Sequence, residues 1–220
     1  MKLELKKRIL TSFFLLMLLT FMFFYSFILI IALIIISLIT WIEFYGLISK
    51  IFSKNNPLNI FLRFLLKSFT LLYLCLFSIT ILSIKFTYPQ LEIFIYYSIF
   101  VAIGSDIGGL VVGRTIKGRR LTKISPNKTL SGAIGSFVFS LLLIPLCFNY
   151  LDNFTINSLI IITLMISLTS QLGDLFISYL KREANVKDTG DLLPGHGGFL
   201  DRLDGILFAV PIGLILFINF

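Results

Sequence analysis

The chain reads as long apolar runs broken by short polar connections. Runs rich in Ile, Leu and Phe extend over about 9–25, 27–48, 65–84, 91–113, 131–149, 155–177 and 205–220. A bilayer core about 30 Å thick takes roughly 20 apolar residues of helix to cross, so the pattern predicts about seven transmembrane helices. A transmembrane β-barrel would instead show segments of about ten residues with alternating polarity. The expected fold class is therefore all-α, a polytopic helical membrane protein forming one domain over residues 1–220. The first run follows MKLELKKR. It is too long for a secretory signal and no small-residue cleavage site follows it, so it is expected to remain as a helix.

Composition agrees. Hydrophobic residues make up 57% of the chain, charged residues 14%, and the mean hydropathy is +0.99, outside the range of soluble globular domains. A net charge of +8 would suggest a nucleic-acid partner in a soluble protein, but here the positions of the charges matter more than their sum. Lys2, Lys6, Lys7 and Arg8 precede the first span; Lys50, Lys54, Arg63 and Lys67 surround the second connection on that side. Arg114, Lys117, Arg119, Arg120, Lys123 and Lys128 fill the next, and Lys181, Arg182, Lys187 and Arg202 the last. Of the 19 Lys and Arg, only Lys85 falls on the other side. By the positive-inside rule the rich side is cytoplasmic, with the N-terminus in and the C-terminus out. The expected location is multi-pass in a membrane, the cytoplasmic (inner) membrane if the source is bacterial, and no nucleic acid is expected.

Cys75 and Cys147 lie inside predicted spans without metal-type spacing and read as packing residues. Asn127 and Asn153 begin N-x-T triplets, one on the predicted inner side and one close to the membrane, and neither indicates glycosylation. Glu43, in TWIEFYG beside Trp41 and Tyr45, reads as a membrane-interface residue.

The polar content gathers in two stretches, about 104–132 and 171–205, where the active-site region is expected. Six of the eleven acidic residues, Asp174, Glu183, Asp188, Asp191, Asp201 and Asp204, fall in the last fifty positions. Crowded carboxylates repel unless cations intervene. Asp174 lies in the apolar helix pattern SQLGDLFISYLKR, which puts Asp174, Ser178, Lys181 and Arg182 on one face. It sits about 10 Å deeper than Lys181 by helix rise, and an intramembrane carboxylate reads as a functional group. Gly190, Gly195, Gly197 and Gly198 flank His196 and allow close approach of backbone N–H groups to an anion. With Asp201 and Asp204 in DRLD, the set suggests oxygen ligands for Mg²⁺, which takes one or two carboxylates plus substrate phosphates. Carboxylates, cations and glycines at a membrane face point to phosphoryl or nucleotidyl transfer on a lipid head group.

These residues resemble the phosphatidate cytidylyltransferases, also called CDP-diglyceride synthetases. The family signature, Ser-x2-Lys-Arg-x4-Lys-Asp followed by a small residue, His-Gly-Gly and Asp-Arg-hydrophobic-Asp, is matched at every specified position by SYLKREANVKDTGDLLPGHGGFLDRLD, Ser178 to Asp204. Upstream, GSDIGGLVVGR and SPNKTLSG resemble the family's intramembrane Asp and basic loop; Ser125, Pro126, Lys128, Thr129 and Gly132 agree, whereas Asn127, Leu130 and Ser131 depart from the usual Lys, Trp and Glu. The N-terminal half matches only in its hydrophobic spans.

The resemblance implies the reaction of CTP with phosphatidate to give CDP-diacylglycerol and pyrophosphate, with Mg²⁺ and a second cation such as K⁺ as cofactors. On that basis Asp174 and Asp201 are expected to hold the metal, with Asp188 and Asp204 completing or supporting the site. Lys181, Arg182, Lys187 and Arg202 are expected to bind the triphosphate or the phosphatidate head group, with Ser178 beside them. Asp106, about 12 Å inside its helix end by helix rise, either reaches the same cavity or makes a polar helix contact. Lys128 and Ser125 either contact nucleotide phosphates or start a helix. His196 either serves a phosphate or proton transfer or fixes the loop. Expected partners are CTP, phosphatidic acid and the lipid bilayer, with a homodimer allowed. A CTP-dependent lipid kinase is the alternative reading, and an ion transporter using Asp106 and Asp174 a more distant one.

Overall fold

The computed structural model describes residues 2–52, 56–122, 125, 128–151, 154–193 and 197–220, with side chains described from Leu10 onward. Helices dominate, and among the described residues the only β pairings are two isolated bridges, Arg120 with Thr129 and Leu193 with Gly197. All seven predicted apolar runs are helical. Among the described residues five segments are long and apolar enough to cross a membrane: Ser26–Ile51, Pro57–Thr87, Pro89–Thr115, Leu130–Tyr150 and Ile156–Glu183. The first run lies in a 23-residue helix, Lys2–Phe24, and the last, Ile206–Asn219, falls short of that length. Fourteen residues rise only about 21 Å.

The described residues divide into two compact units, one of residues 1–87 with 180–202, the other of 88–179 with 203–220. The first contains α1 (Lys2–Phe24), α2 (Ser26–Ile51) and α3 (Pro57–Thr87), with α2 packed on both neighbours. Its buried side chains include Leu29, Leu33, Phe44, Leu47 and Ile48 of α2 and Leu74, Ile81 and Ile84 of α3. The hydroxyls of Ser37 and Ser78 meet between these helices at 2.9 Å. α3 begins eight residues before the predicted span because Asn56 accepts a hydrogen bond from Leu58 N at 3.0 Å, with Pro57 at the first helical position. Arg63 consequently lies within α3, one turn before Lys67, and not in the connection before the helix. Lys67 is buried; its ammonium donates to Ser49 Oγ at 2.6 Å and stands 3.2 Å from the centre of the Tyr45 ring.

The second unit contains α4 (Glu92–Thr115), α5 (Leu130–Leu141), α6 (Ile144–Cys147), most of α7 (Ile156–Glu183) and α9 (Ile206–Asn219). α4 packs most closely on α5. The approach is set by missing side chains: a Cβ on Gly132 would stand 2.8 Å from the Gly109 carbonyl, and one on Gly135 would collide with Val112 and the Gly108 carbonyl. Small residues at such spacing let helix backbones meet where apolar burial supplies no preference between lipid and protein. Serine hydroxyls then bridge the gap, Ser136 donating to the Ser105 carbonyl at 2.7 Å and Ser105 meeting Ser167 of α7 at 3.0 Å. Tyr97, Val101, Leu159, Ile162, Ile166, Ala209 and Phe217 form the core beside them.

The end of α7 lies in the first unit. Asn185, at φ 54°, turns the chain out of the helix while Val186 N reaches the Lys181 carbonyl and Asn185 N the Arg182 carbonyl. This satisfies the last carbonyls and fixes where the following loop starts. The loop leads to α8 (Leu200–Leu203).

Candidate active site

The expected site residues fall into two clusters, one in each unit. In the first, Asp201 is the centre. Its side chain is only 7% exposed, and Oδ1 accepts from Lys181 Nζ at 2.6 Å. Oδ2 accepts from Thr189 N at 2.9 Å, from Thr189 Oγ1 at 3.0 Å and from Gly198 N at 3.1 Å. The glycine-rich loop therefore folds its N–H groups onto a carboxylate of its own chain. Gly197 holds φ 83°, a left-handed conformation that favours glycine, and pairs with Leu193 through two backbone hydrogen bonds.

A residue read from the sequence as a membrane-interface side chain belongs to this cluster. Glu43 of α2 is 5% exposed. Its Oε1 accepts from Phe199 N at 2.9 Å; its Oε2 accepts from Leu200 N at 2.9 Å and from Thr189 Oγ1 at 2.7 Å. The reason is the face it occupies: Thr40, Glu43, Phe44 and Leu47 form one buried stripe of α2, while Tyr45 is exposed. Gly190 and Gly198 make the approach possible, since a Cβ at Gly190 would stand 2.7 Å from Glu43 Oε1 and one at Gly198 2.5 Å from Oε2. The signal available in the sequence was the four-residue stripe; aromatic neighbours obscured it. Thr189, between the signature Asp188 and the small residue Gly190, was not singled out either.

Arg182, Lys187, Asp188 and Arg202 are exposed. Asp188 also packs under Gly197, where an added Cβ would come within 3.1 Å of it. His196 lies outside the described residues, as do Asn127 and Asn153.

The second cluster is built on α7. Asp174 Oδ2 forms an ion pair with Lys128 Nζ, and Ser178, one turn later, donates to Asp174 Oδ1 at 3.3 Å. The pair is about a quarter exposed, 26% for Lys128 and 28% for Asp174. Lys128 is delivered by the turn before α5, where Lys128 N bonds the Ser125 carbonyl at 3.1 Å and Leu121 N the Lys128 carbonyl at 2.8 Å. The helix-start role falls to Thr129, whose hydroxyl accepts from Gly132 N at 3.1 Å. Ser125 is half-buried and Asp106 exposed on α4. Asp204 is buried and accepts from Gly205 N at 2.9 Å.

Among the described residues no three Asp, Glu, His or Cys side chains gather in a way that would hold a metal ion. The donor chemistry nonetheless fits a hard cation that takes few protein ligands. An ionised carboxylate offers about four acceptor positions; the contacts described above engage two on Asp174 but bring four donors to Asp201, so a metal at Asp201 would have to displace one of them. Mg²⁺ is content with one or two carboxylates, water and substrate phosphates.

A helical membrane protein with carboxylate–lysine pairs and a loop of folded-back amides at its helix ends is the class that fold and site define. The chain belongs to the cytidylyltransferase family, whose model matches residues 2–220. It is similar to the phosphatidate cytidylyltransferase of Staphylococcus haemolyticus (strain JCSC1435), 38% identical over 153 residues, covering 66% of this chain and 58% of the relative. The protein of that name from Rickettsia bellii (strain RML369-C) is 41% identical over 136 residues, 58% of this chain and 57% of the relative. That of Bacillus subtilis (strain 168) is 44% identical over 121 residues, 54% and 45%. The chain spans about half the length of the curated relatives it matches.

Proposed function

We propose that the protein is a phosphatidate cytidylyltransferase of a bacterial cytoplasmic membrane, transferring CMP from CTP to phosphatidate with release of pyrophosphate. The observation that carries the reading is the signature segment Ser178 to Asp204, with its loop amides and Lys181 organised on Asp201, in a chain similar to enzymes of that name. The nucleophile is a phosphatidate oxygen and the bond broken joins the α- and β-phosphorus groups of CTP, so no protein nucleophile is needed. Lys181 and Lys128 are the ammonium groups proposed to meet phosphate oxygens; Arg182, Lys187 and Arg202 bring further charge, and Arg forks suit phosphates.

Mg²⁺ is proposed as the cofactor, with Asp174 and Asp201 as carboxylate ligands, Asp188 and Asp204 in support, and a second cation such as K⁺ beside it. When bound it supplies charge neutralisation and polarisation of the α-phosphate. The basic side of the chain is proposed to face the cytoplasm, where CTP is supplied.

The test uses purified full-length protein in mixed micelles of phosphatidate with Mg²⁺ and CTP labelled at either the α or the γ phosphorus. Label from the α position in the lipid product is the expected result. Label transferred only from the γ position would make the protein a CTP-dependent lipid kinase and overturn the assignment.

A further inference from the structure

We propose that Glu43 is a positioning residue for nucleotidyl transfer, acting through Thr189 and the start of α8 on Asp201 and Lys181. The inference rests on the activity proposed above and adds to it a residue outside the signature segment.

Glu43 is separated by 146 residues from Thr189 and by 156 from Phe199, yet it meets both. A carboxylate that is 5% exposed has given up hydration worth several kcal/mol in an uncompensated site. Here two backbone N–H groups and a hydroxyl replace that water. Phe199 and Leu200 are where α8 begins, and the first N–H groups of a helix have no intrahelical partner. Glu43 thus ties the entry of α8, and with it Asp201, to the long helix α2.

Thr189 makes the tie directional. Its single hydroxyl proton faces two carboxylate oxygens, Glu43 Oε2 at 2.7 Å and Asp201 Oδ2 at 3.0 Å, while its N–H donates to Asp201 at 2.9 Å. Moving either carboxylate moves the threonine and the other carboxylate with it. Two anions therefore hold Thr189, Gly198, Phe199 and Leu200 in place, and Lys181 is the cation on the Asp201 side. The partners that hold the Glu43 carboxylate are Thr189, Phe199 and Leu200. Its contribution is to keep Asp201 Oδ1 and Lys181 in register, which selects for turnover over substrate affinity.

Gln at this position keeps the size but replaces one acceptor oxygen with an NH₂ group, so one of the three donors must lose its partner. The experiment compares Glu43→Gln, Thr189→Val and Thr189→Ser with wild type in the full-length protein, measuring kcat and KM for CTP and amide hydrogen exchange at Phe199 and Leu200 without substrate. Supporting results are a fall in kcat of roughly 10- to 100-fold in Glu43→Gln and Thr189→Val, the range seen when partners orienting a site are lost, with KM for CTP within about threefold. Thr189→Ser, which keeps the hydroxyl, should hold the wild-type rate. In Glu43→Gln the two amides should lose protection while amides in α3 keep theirs. Retention of kcat by Glu43→Gln, unchanged protection at Phe199 and Leu200, or equal loss in Thr189→Ser and Thr189→Val each overturns the proposal. Wild type without transfer would instead count against the activity, and the exchange at Phe199 and Leu200 still decides whether Glu43 holds the loop.

Discussion

Lys181 Nζ stands 2.6 Å from Asp201 Oδ1, and both side chains are largely withdrawn from water, at 13% and 7% exposure. One belongs to the last turn of α7 and the other to α8, so this pair closes the loop that carries the signature. Removing one partner leaves an uncompensated charge, which costs on the order of 3–5 kcal/mol when the site is dry. Lys181→Met should therefore lower the thermal unfolding temperature in detergent, and Lys181→Met combined with Asp201→Asn should recover most of that loss. Turnover should not recover in the double variant, since neither the ammonium nor the carboxylate remains. Equal stability of the single and double variants would show that the pair does not hold the loop.

Lys128 and Asp174 form the contrasting case. At about a quarter exposure the pair is screened, and such pairs contribute roughly 0–1 kcal/mol. Lys128→Ala is expected to change stability by less than about 1 kcal/mol. Its kinetic effect should be larger, a rise of about tenfold in KM for CTP, equivalent to losing one charge-assisted hydrogen bond to a phosphate. Steady-state kinetics at two ionic strengths would check this; a large stability loss with unchanged KM would make Lys128 a structural residue.

The contrast between these pairs also explains what could be read in advance. Apolar runs marked the long helices because lipid contact demands long unbroken stretches, and the helical spacing of Asp174 and Ser178 correctly put them in contact. Helix ends were less legible. Asn56 and Pro57 start α3 before its apolar pattern begins, which draws Arg63 into the helix. Glu43 was misjudged because its position in the chain says nothing of a loop 146 residues away. The glycines were read as letting backbone amides approach an anion; of them the described amide of Gly198 takes Asp201, Gly197 N bonds the Leu193 carbonyl, and the neighbouring amides of Phe199 and Leu200 take Glu43.

Packing of α4 on α5 supplies a prediction independent of the chemistry. At Gly135 a Cβ would collide with the Val112 side chain and crowd the Gly108 carbonyl, whereas at Gly46 of α2 nothing lies within 4 Å. Overpacking a tight contact costs typically 1–3 kcal/mol, while glycine in a helix gives up roughly 0.5–1 kcal/mol against alanine. Gly135→Ala should lower the unfolding temperature, and Gly46→Ala should leave it unchanged or raise it slightly. Both are read from the same thermal scan in one detergent. An unaffected Gly135→Ala protein would mean that the helices separate easily.

Chelation tests the metal proposal and its relation to the fold together. In structural metal sites binding energy is folding energy, so chelators unfold the protein. Here the described carboxylates proposed as ligands already have ammonium partners, Asp174 with Lys128 and Asp201 with Lys181. They do not need a divalent ion to be stable when substrate is absent. EDTA should therefore stop α-label transfer from CTP completely while leaving the thermal unfolding temperature within the error of the scan. Added Mg²⁺ should restore the rate, and Asp174→Asn should raise the Mg²⁺ concentration needed for half-maximal activity by at least roughly tenfold, as expected for loss of a ligand or its support. A chelated protein that melts early would make the metal part of the fold; one that keeps turning over would remove Mg²⁺ from the reaction.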